Sequence, residues 1–99
     1  MPFVVEYVQS GVSPADYDRL KQHIDWAGSR PPGALFHIAS FGDDTIHVVD
    51  LWESLEAMEE YSRTRLIPAL KALSIPATVP TVRETYGVAA YPGVSLYNI

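Results

Sequence analysis

The stretch Ala34-Leu35-Phe36-His37-Ile38-Ala39-Ser40-Phe41-Gly42-Asp43-Asp44-Thr45-Ile46-His47-Val48-Val49-Asp50-Leu51-Trp52-Glu53 decides the fold. Both arms are rich in β-branched and aromatic side chains, and Gly42-Asp43-Asp44 between them is turn chemistry, so the stretch reads as a β-hairpin. Pairing Phe41 with Ile46 across the turn sets the register. One face then holds Leu35, His37, Ala39, Phe41, Ile46, Val48, Asp50 and Trp52. The other holds Phe36, Ile38, Ser40, His47, Val49 and Leu51. A sheet with one wet face alternates apolar and polar residues. These strands are mostly apolar on both faces.

Working outward, Phe3 to Val8 reads as a strand, with Pro2 at its start. Ser13 is a helix N-cap, Pro14 takes the first helical position and Asp16 lies in the first turn. Tyr17, Leu20, Ile24 and Ala27 then form one apolar stripe, with Asp18, Gln22 and Asp25 on the wet side. Gly28 to Gly33 is a stiff loop. Ser54 caps a second helix, with Glu56 near its positive end. Its stripe is Leu55, Met58, Leu66, Ala69, Leu70 and Leu73. Pro68 inside that stripe kinks or restarts the helix. Ile75-Pro76 ends it. Val79 to Tyr86 is the last strand, and Pro80 marks an edge or a late start. The order β-α-β-β-α-β is an α+β, ferredoxin-like sandwich, with two helices on one face of a four-stranded antiparallel sheet. Residues 1–86 form this domain, and 87–99 form an apolar tail without helical period.

The composition fits. Of 99 residues, 47 % are apolar and 19 % charged, with a net charge of −5. The charged fraction falls below the usual figure of roughly 25 %. The length allows one domain, and the apolar content excludes disorder. The absence of cysteine excludes disulfides and thiolate chemistry and fits a cytoplasmic protein. Seven scattered Lys and Arg make no basic track for nucleic acid. No apolar run approaches the roughly 20 residues of a membrane span, and Met1 to Glu6 lacks the basic start of a signal peptide. The second apolar face of the sheet needs a cover. The cheapest is a second copy packed across a two-fold axis, which makes a homodimer. Tyr91, Val94, Leu96, Tyr97 and Ile99 would form an arm across that junction, or would fold back on their own sheet.

The hairpin register also sets His37 opposite Asp50. A carboxylate beside an imidazole fixes its tautomer and raises the basicity of the far nitrogen, making a general base. The same pair also suits a buried polar group that must find a partner. His47 points to the opposite face and His23 lies beside the first helix stripe, so the three histidines imply no metal triad. Glu53, Glu56, Glu59 and Glu60 follow helix surface positions. Tyr61 sits at the edge of the second helix's stripe, where it could lean over the sheet, and Tyr7 could face the same cavity. Both positions also suit core tyrosines. Ser10 and Ser95 lack a nucleophile elbow. The glycines make no phosphate loop.

The run His47-Val48-Val49-Asp50-Leu51-Trp52-Glu53-Ser54, leading into a helix with Tyr61, resembles the dimeric α/β-barrel superfamily. Pro32-Gly33-Ala34-Leu35-Phe36-His37-Ile38-Ala39 resembles its small bacterial members. The resemblance spans roughly Phe3 to Tyr86. The superfamily includes antibiotic-biosynthesis-type monooxygenases, haem-degrading monooxygenases, polyketide cyclases and stress-response barrels. It implies two sheets facing each other to close a barrel, and a pocket between each sheet and its helices. It would place His37, Asp50, Leu35, Ile46, Val48, Trp52 and Tyr7 around that pocket. Plant polyketide cyclases carry a tyrosine nine residues after the aromatic that ends the third strand, and Tyr61 stands nine after Trp52. Their second-helix histidine has no match, since Ile67 and Pro68 lie there. Haem-degrading members use a second-helix histidine as iron ligand, and its absence here argues against haem. Their first-strand asparagine is replaced, with Tyr7 the nearest stand-in. The resemblance implies a cofactor-free monooxygenase or cyclase acting on a small apolar, aromatic or polyketide-like molecule. His37 would be the base, oriented by Asp50, with Tyr61 donating to a developing oxyanion. The alternative is a non-catalytic dimeric barrel that binds a hydrophobic ligand or serves as a structural subunit.

Overall fold

Asp43 and Asp44 turn the hairpin with φ of 54° and 58°. Two left-handed central residues make a type I′ turn, whose twist matches that of the flanking strands, and aspartate tolerates the region better than most residues. The computed structural model describes residues 1–98. In it the turn joins β2 (Ala34–Gly42) to β3 (Thr45–Trp52). Phe41 pairs with Ile46 and His37 with Asp50, as the sequence predicts. Near the far end the register slips, so that Ala34 faces Trp52 and Phe36 faces Leu51. Leu35 is the extra residue of a β-bulge, which corrects the expected face: Ala34, not Leu35, packs against the buried core.

β1 (Phe3–Ser10) lies between β3 and β4 (Thr81–Glu84) in one open sheet of order β2-β3-β1-β4, antiparallel throughout. β4 is an edge strand, as expected, but shorter than Val79 to Tyr86. Pro80 has no N–H to give a ladder, and both Val79 and Tyr86 stand exposed. The Thr85 N–H bonds the Pro2 carbonyl as the pairing ends.

α1 (Pro14–Ile24) starts at a full capping box, with Ser13 and Asp16 each bonding the other's backbone N–H. It ends sooner than the stripe suggests. Asp25 turns left-handed at φ 58°, which takes Ala27 off the stripe and out to the surface. Trp26 packs inward in its place. The second helical run is α2 (Leu55–Tyr61), a π-helical turn (Ser62–Leu66) and α3 (Ile67–Ala72). Ser54 caps it by accepting from the Ala57 N–H. The wide turn lies immediately before Pro68, where a normal turn would drive the proline ring into the carbonyl four residues back. The run stays helical through Pro68: the π turn absorbs the proline, and α3 begins at Ile67 with the backbone still in the αR region, where the sequence predicts a kink or a restart. Arg65 in that turn donates to the carbonyls of Ile24 and Ser29, at 2.8 Å each.

Both helical runs lie on one face of the sheet, over β1 and β3, while the edge strand β2 stays largely exposed even there, at His37 and Phe41. Val5, Ile24, Trp52, Met58, Tyr61 and Ala69 form the main core, and Val12, Ile46 and Ile75 a second cluster. The other face carries no helix. Val8 and Ile38 are 58 % and 52 % exposed there. Glu6 and Arg83 make an ion pair beside them, which the hairpin pattern did not foretell. The tail forms a short 3₁₀ turn (Pro92–Tyr97) near β2, where Val94 and Tyr97 join the wall of a cleft. Ile99, named for the arm, lies outside the described residues.

Gly33 joins the loop to the bulge with φ 83°, and a Cβ there would stand 2.5 Å from the Ala57 Cβ. Gly33→Ala is expected to lower stability in urea titration by about 2 kcal/mol. Gly42→Ala, with open space around it, is expected to stay within about 0.5 kcal/mol of the parent.

Candidate active site

β2 and β3 present His37 and Asp50 on the helix side, and α1 brings Tyr17 over them. His37 Nδ1 lies 2.6 Å from Asp50 Oδ1, and His37 Nε2 lies 2.8 Å from the Tyr17 hydroxyl. An ionised carboxylate only accepts, so Nδ1 carries the imidazole proton. With the imidazole neutral, Nε2 is the acceptor and the Tyr17 phenol donates to it. The two rings are nearly parallel, at 10°. Trp26 closes over the pair, with its ring centre 5.1 Å from that of His37. Its Nε1 is the one buried side-chain polar atom without a hydrogen-bond partner among the described residues.

This cluster separates two spaces. An inner cavity of about 290 Å³ lies between the sheet and the helices, and Tyr7, Ile46, Val48 and Leu70 are among its walls. A larger cleft of about 710 Å³ lies beside β2, bounded by Leu35, Trp52, Arg30 and the tail. Tyr17, Trp26, His37, Asp50 and Tyr61 border both. The inner cavity is the better candidate, because both layers of the fold enclose it and its lining is largely apolar.

Asp50 is 9 % exposed and is the one buried charged residue among those described. Burial pushes the Tyr17 and Tyr7 phenols up to about 12, and the negative charge of Asp50 pushes them the same way. Tyr61 is raised further, by burial first and Asp50 second. All three hydroxyls are held protonated at neutral pH and can serve as donors.

Every sequence-proposed site residue lies at one of the two spaces, but not at one point. His37, Asp50 and Tyr61 border both spaces. Tyr7, Ile46 and Val48 face the inner cavity, while Leu35 and Trp52 face the cleft. Tyr61 packs against Trp52 with ring centres 5.0 Å apart and the planes tilted by 38°. Two residues were missed. Tyr17 reads as core stripe, yet a buried phenol usually finds a polar partner, and that demand was its signal. Trp26 lay on no stripe, because only the left-handed Asp25 turns it inward.

No protein-family model matches the chain, and no curated protein matches it. Solved structures do. A protein classed with the antibiotic biosynthesis monooxygenases, from Chloroflexus aurantiacus J-10-fl, aligns with TM-score 0.61 at 18 % identity, covering 92 % of this chain and 97 % of its own. SnoaB, a cofactor-independent oxygenase from Streptomyces nogalater, gives TM-score 0.61 at 15 % identity over 88 % and 93 % of the two chains. The chain has the fold of these proteins. A variant of MhuD with two manganese protoporphyrin IX molecules per active site gives TM-score 0.59 at 20 % identity, over 92 % of this chain and all of that one. The residues here do not suit a porphyrin metal. The run Leu55–Ala72 contains no histidine, and both nitrogens of His37 are already engaged. Among the described residues no three of His, Asp or Glu are grouped to hold a metal ion.

The raised phenols give a pH dependence with a definite sign. Between pH 10.0, their ordinary value, and about 12, the folded protein binds more protons than the unfolded chain. Stability is therefore complete below that window and falls as pH rises through it. Phenolate absorbance should show Tyr7 and Tyr17 ionising near pH 12. Asp50→Asn should move both transitions to lower pH, since it removes a repelling charge.

Proposed function

We propose that this chain is a cofactor-free catalyst of proton abstraction, acting as a monooxygenase or cyclase on a small apolar or aromatic molecule. The observation that carries this reading is the hydrogen-bonded chain Tyr17–His37–Asp50 in the wall of an apolar cavity. Tyr17 shields His37 Nε2, so the base acts through the phenol. As the substrate gives its acidic proton to the Tyr17 oxygen, the Tyr17 proton passes to Nε2. The imidazolium that forms sits against Asp50, which stabilises it. In this reading Tyr61 donates to the oxyanion left on the substrate. That anion then attacks an internal carbonyl in a cyclisation, or reacts with dioxygen in an oxygenation. Likeness to SnoaB, itself described as cofactor-independent, supports the second outcome.

The working unit in this reading is a homodimer joined through the helix-free face of the sheet. Exposed Val8, Phe36 and Ile38 support it. Gel filtration at micromolar concentration is expected to give twice the 11.0 kDa chain mass, and a single-chain mass would overturn the dimer.

Native mass spectrometry of the purified protein identifies whatever molecule it carries. With that molecule as substrate, His37→Ala and Tyr17→Phe are each expected to lower kcat by about 10²-fold or more. Unchanged turnover in both variants would leave a binding protein in which the trio is a structural link. In that case His37→Phe would keep ligand affinity and match or exceed the parent's stability.

A further inference from the structure

The inner cavity carries one carboxylate, Asp50, whose only basic neighbour among the described lining residues is the His37 imidazole. Among its described lining residues there is one carboxylate, Asp50, and no lysine or arginine. His37 meets Asp50 at Oδ1, 2.6 Å away, and no fixed positive charge lines the cavity among the described residues. Buried charges are ordinarily paired. Four aromatic side chains, Tyr7, Tyr17, Trp26 and Tyr61, line the same space. Aromatic faces attract organic cations, most strongly where water is excluded. The net charge of −5 adds a field that draws cations and repels anions. The phenols feel that carboxylate, since after burial it is Asp50 that raises Tyr7, Tyr17 and Tyr61.

We propose that the inner cavity binds organic cations, namely molecules with a substituted ammonium group on an apolar body, and rejects carboxylates of the same size. The ammonium group would sit against Asp50 among the aromatic faces, and the apolar body would extend toward Val48, Leu70 and Ile75. The proposal rests on reading the cavity as a small-molecule site and names the class of molecule that site takes. It also suits the proposed chemistry. A cation beside the site favours loss of a proton from the same molecule, whereas a second carboxylate would oppose it.

Three probes of similar shape separate charge from size: phenyltrimethylammonium, tert-butylbenzene and benzoate. Trp26 and Trp52 are the two tryptophans of the chain, so fluorescence titration reports occupancy. Phenyltrimethylammonium is expected to bind about tenfold more tightly than tert-butylbenzene, with benzoate not bound. Asp50→Asn is expected to bring the two affinities together by weakening the cation alone. Equal or tighter binding of tert-butylbenzene or benzoate would overturn the charge selectivity and leave the cavity's role as a small-molecule site standing. Binding of none of the three would overturn both. A cation preference undiminished in Asp50→Asn would overturn the assignment to Asp50. If that variant does not fold, nuclear Overhauser contacts decide in the parent protein. Contacts from the N-methyl protons to tyrosine and tryptophan rings support the site, and their absence overturns it.

Discussion

Two aspartates at a hairpin tip set which residue faces which, and the rest of the helix side depends on that pairing. With Asp43 and Asp44 both left-handed, Phe41 meets Ile46, and the alternation of side chains carries His37 to Asp50 four positions further along. A slip of one residue on β3 would turn Asp50 to the opposite face and exchange Ile46 and Val48 for His47 and Val49. The core would then lose its apolar wall and the site its carboxylate together. Packing and chemistry here share one register, so the same turn is enforced twice.

Much of this was legible in the sequence for local reasons. The turn, the two serine caps and the apolar stripes are signals written within a few residues, and they give the element order and the His37–Asp50 pairing. What escaped depends on contacts that are distant or on backbone choices without a clear residue signature. The bulge at Leu35 needs no glycine, so Ala34 and Leu35 look interchangeable until Trp52 chooses between them. The end of α1 turns on Asp25 taking a left-handed conformation more common for glycine or asparagine. Trp26 then enters the site although no periodicity points to it. Tyr17 fitted the helix stripe well, and its tyrosine hydroxyl alone hinted that it was more than packing. The similarity to SnoaB and to the Chloroflexus aurantiacus protein adds the fold but, at 15 % and 18 % identity, not the roles of these side chains.

The polar trio does not serve stability well. A buried carboxylate in the middle of β3 loses its hydration, and hydrogen bonds within the protein return only part of that loss. Apolar residues of similar size would fill the same space. The trio is satisfied link by link, with Asp50 bonding His37 and His37 bonding Tyr17. Breaking the link to His37 would leave the buried Asp50 carboxylate without its partner, whereas the His37–Tyr17 link lies at the exposed end of the chain.

Arg65 has a mechanical consequence. Its guanidinium ties the π-helical turn, just past Tyr61, to carbonyls on either side of Trp26, at Ile24 and Ser29. The segment bearing Trp26 is thus moored to the helix that bears Tyr61, and it cannot swing away as a flap without breaking both bonds. Trp26 is therefore held over His37 by bonds from the other helical run, and the wall it forms is fixed on both sides of the ring.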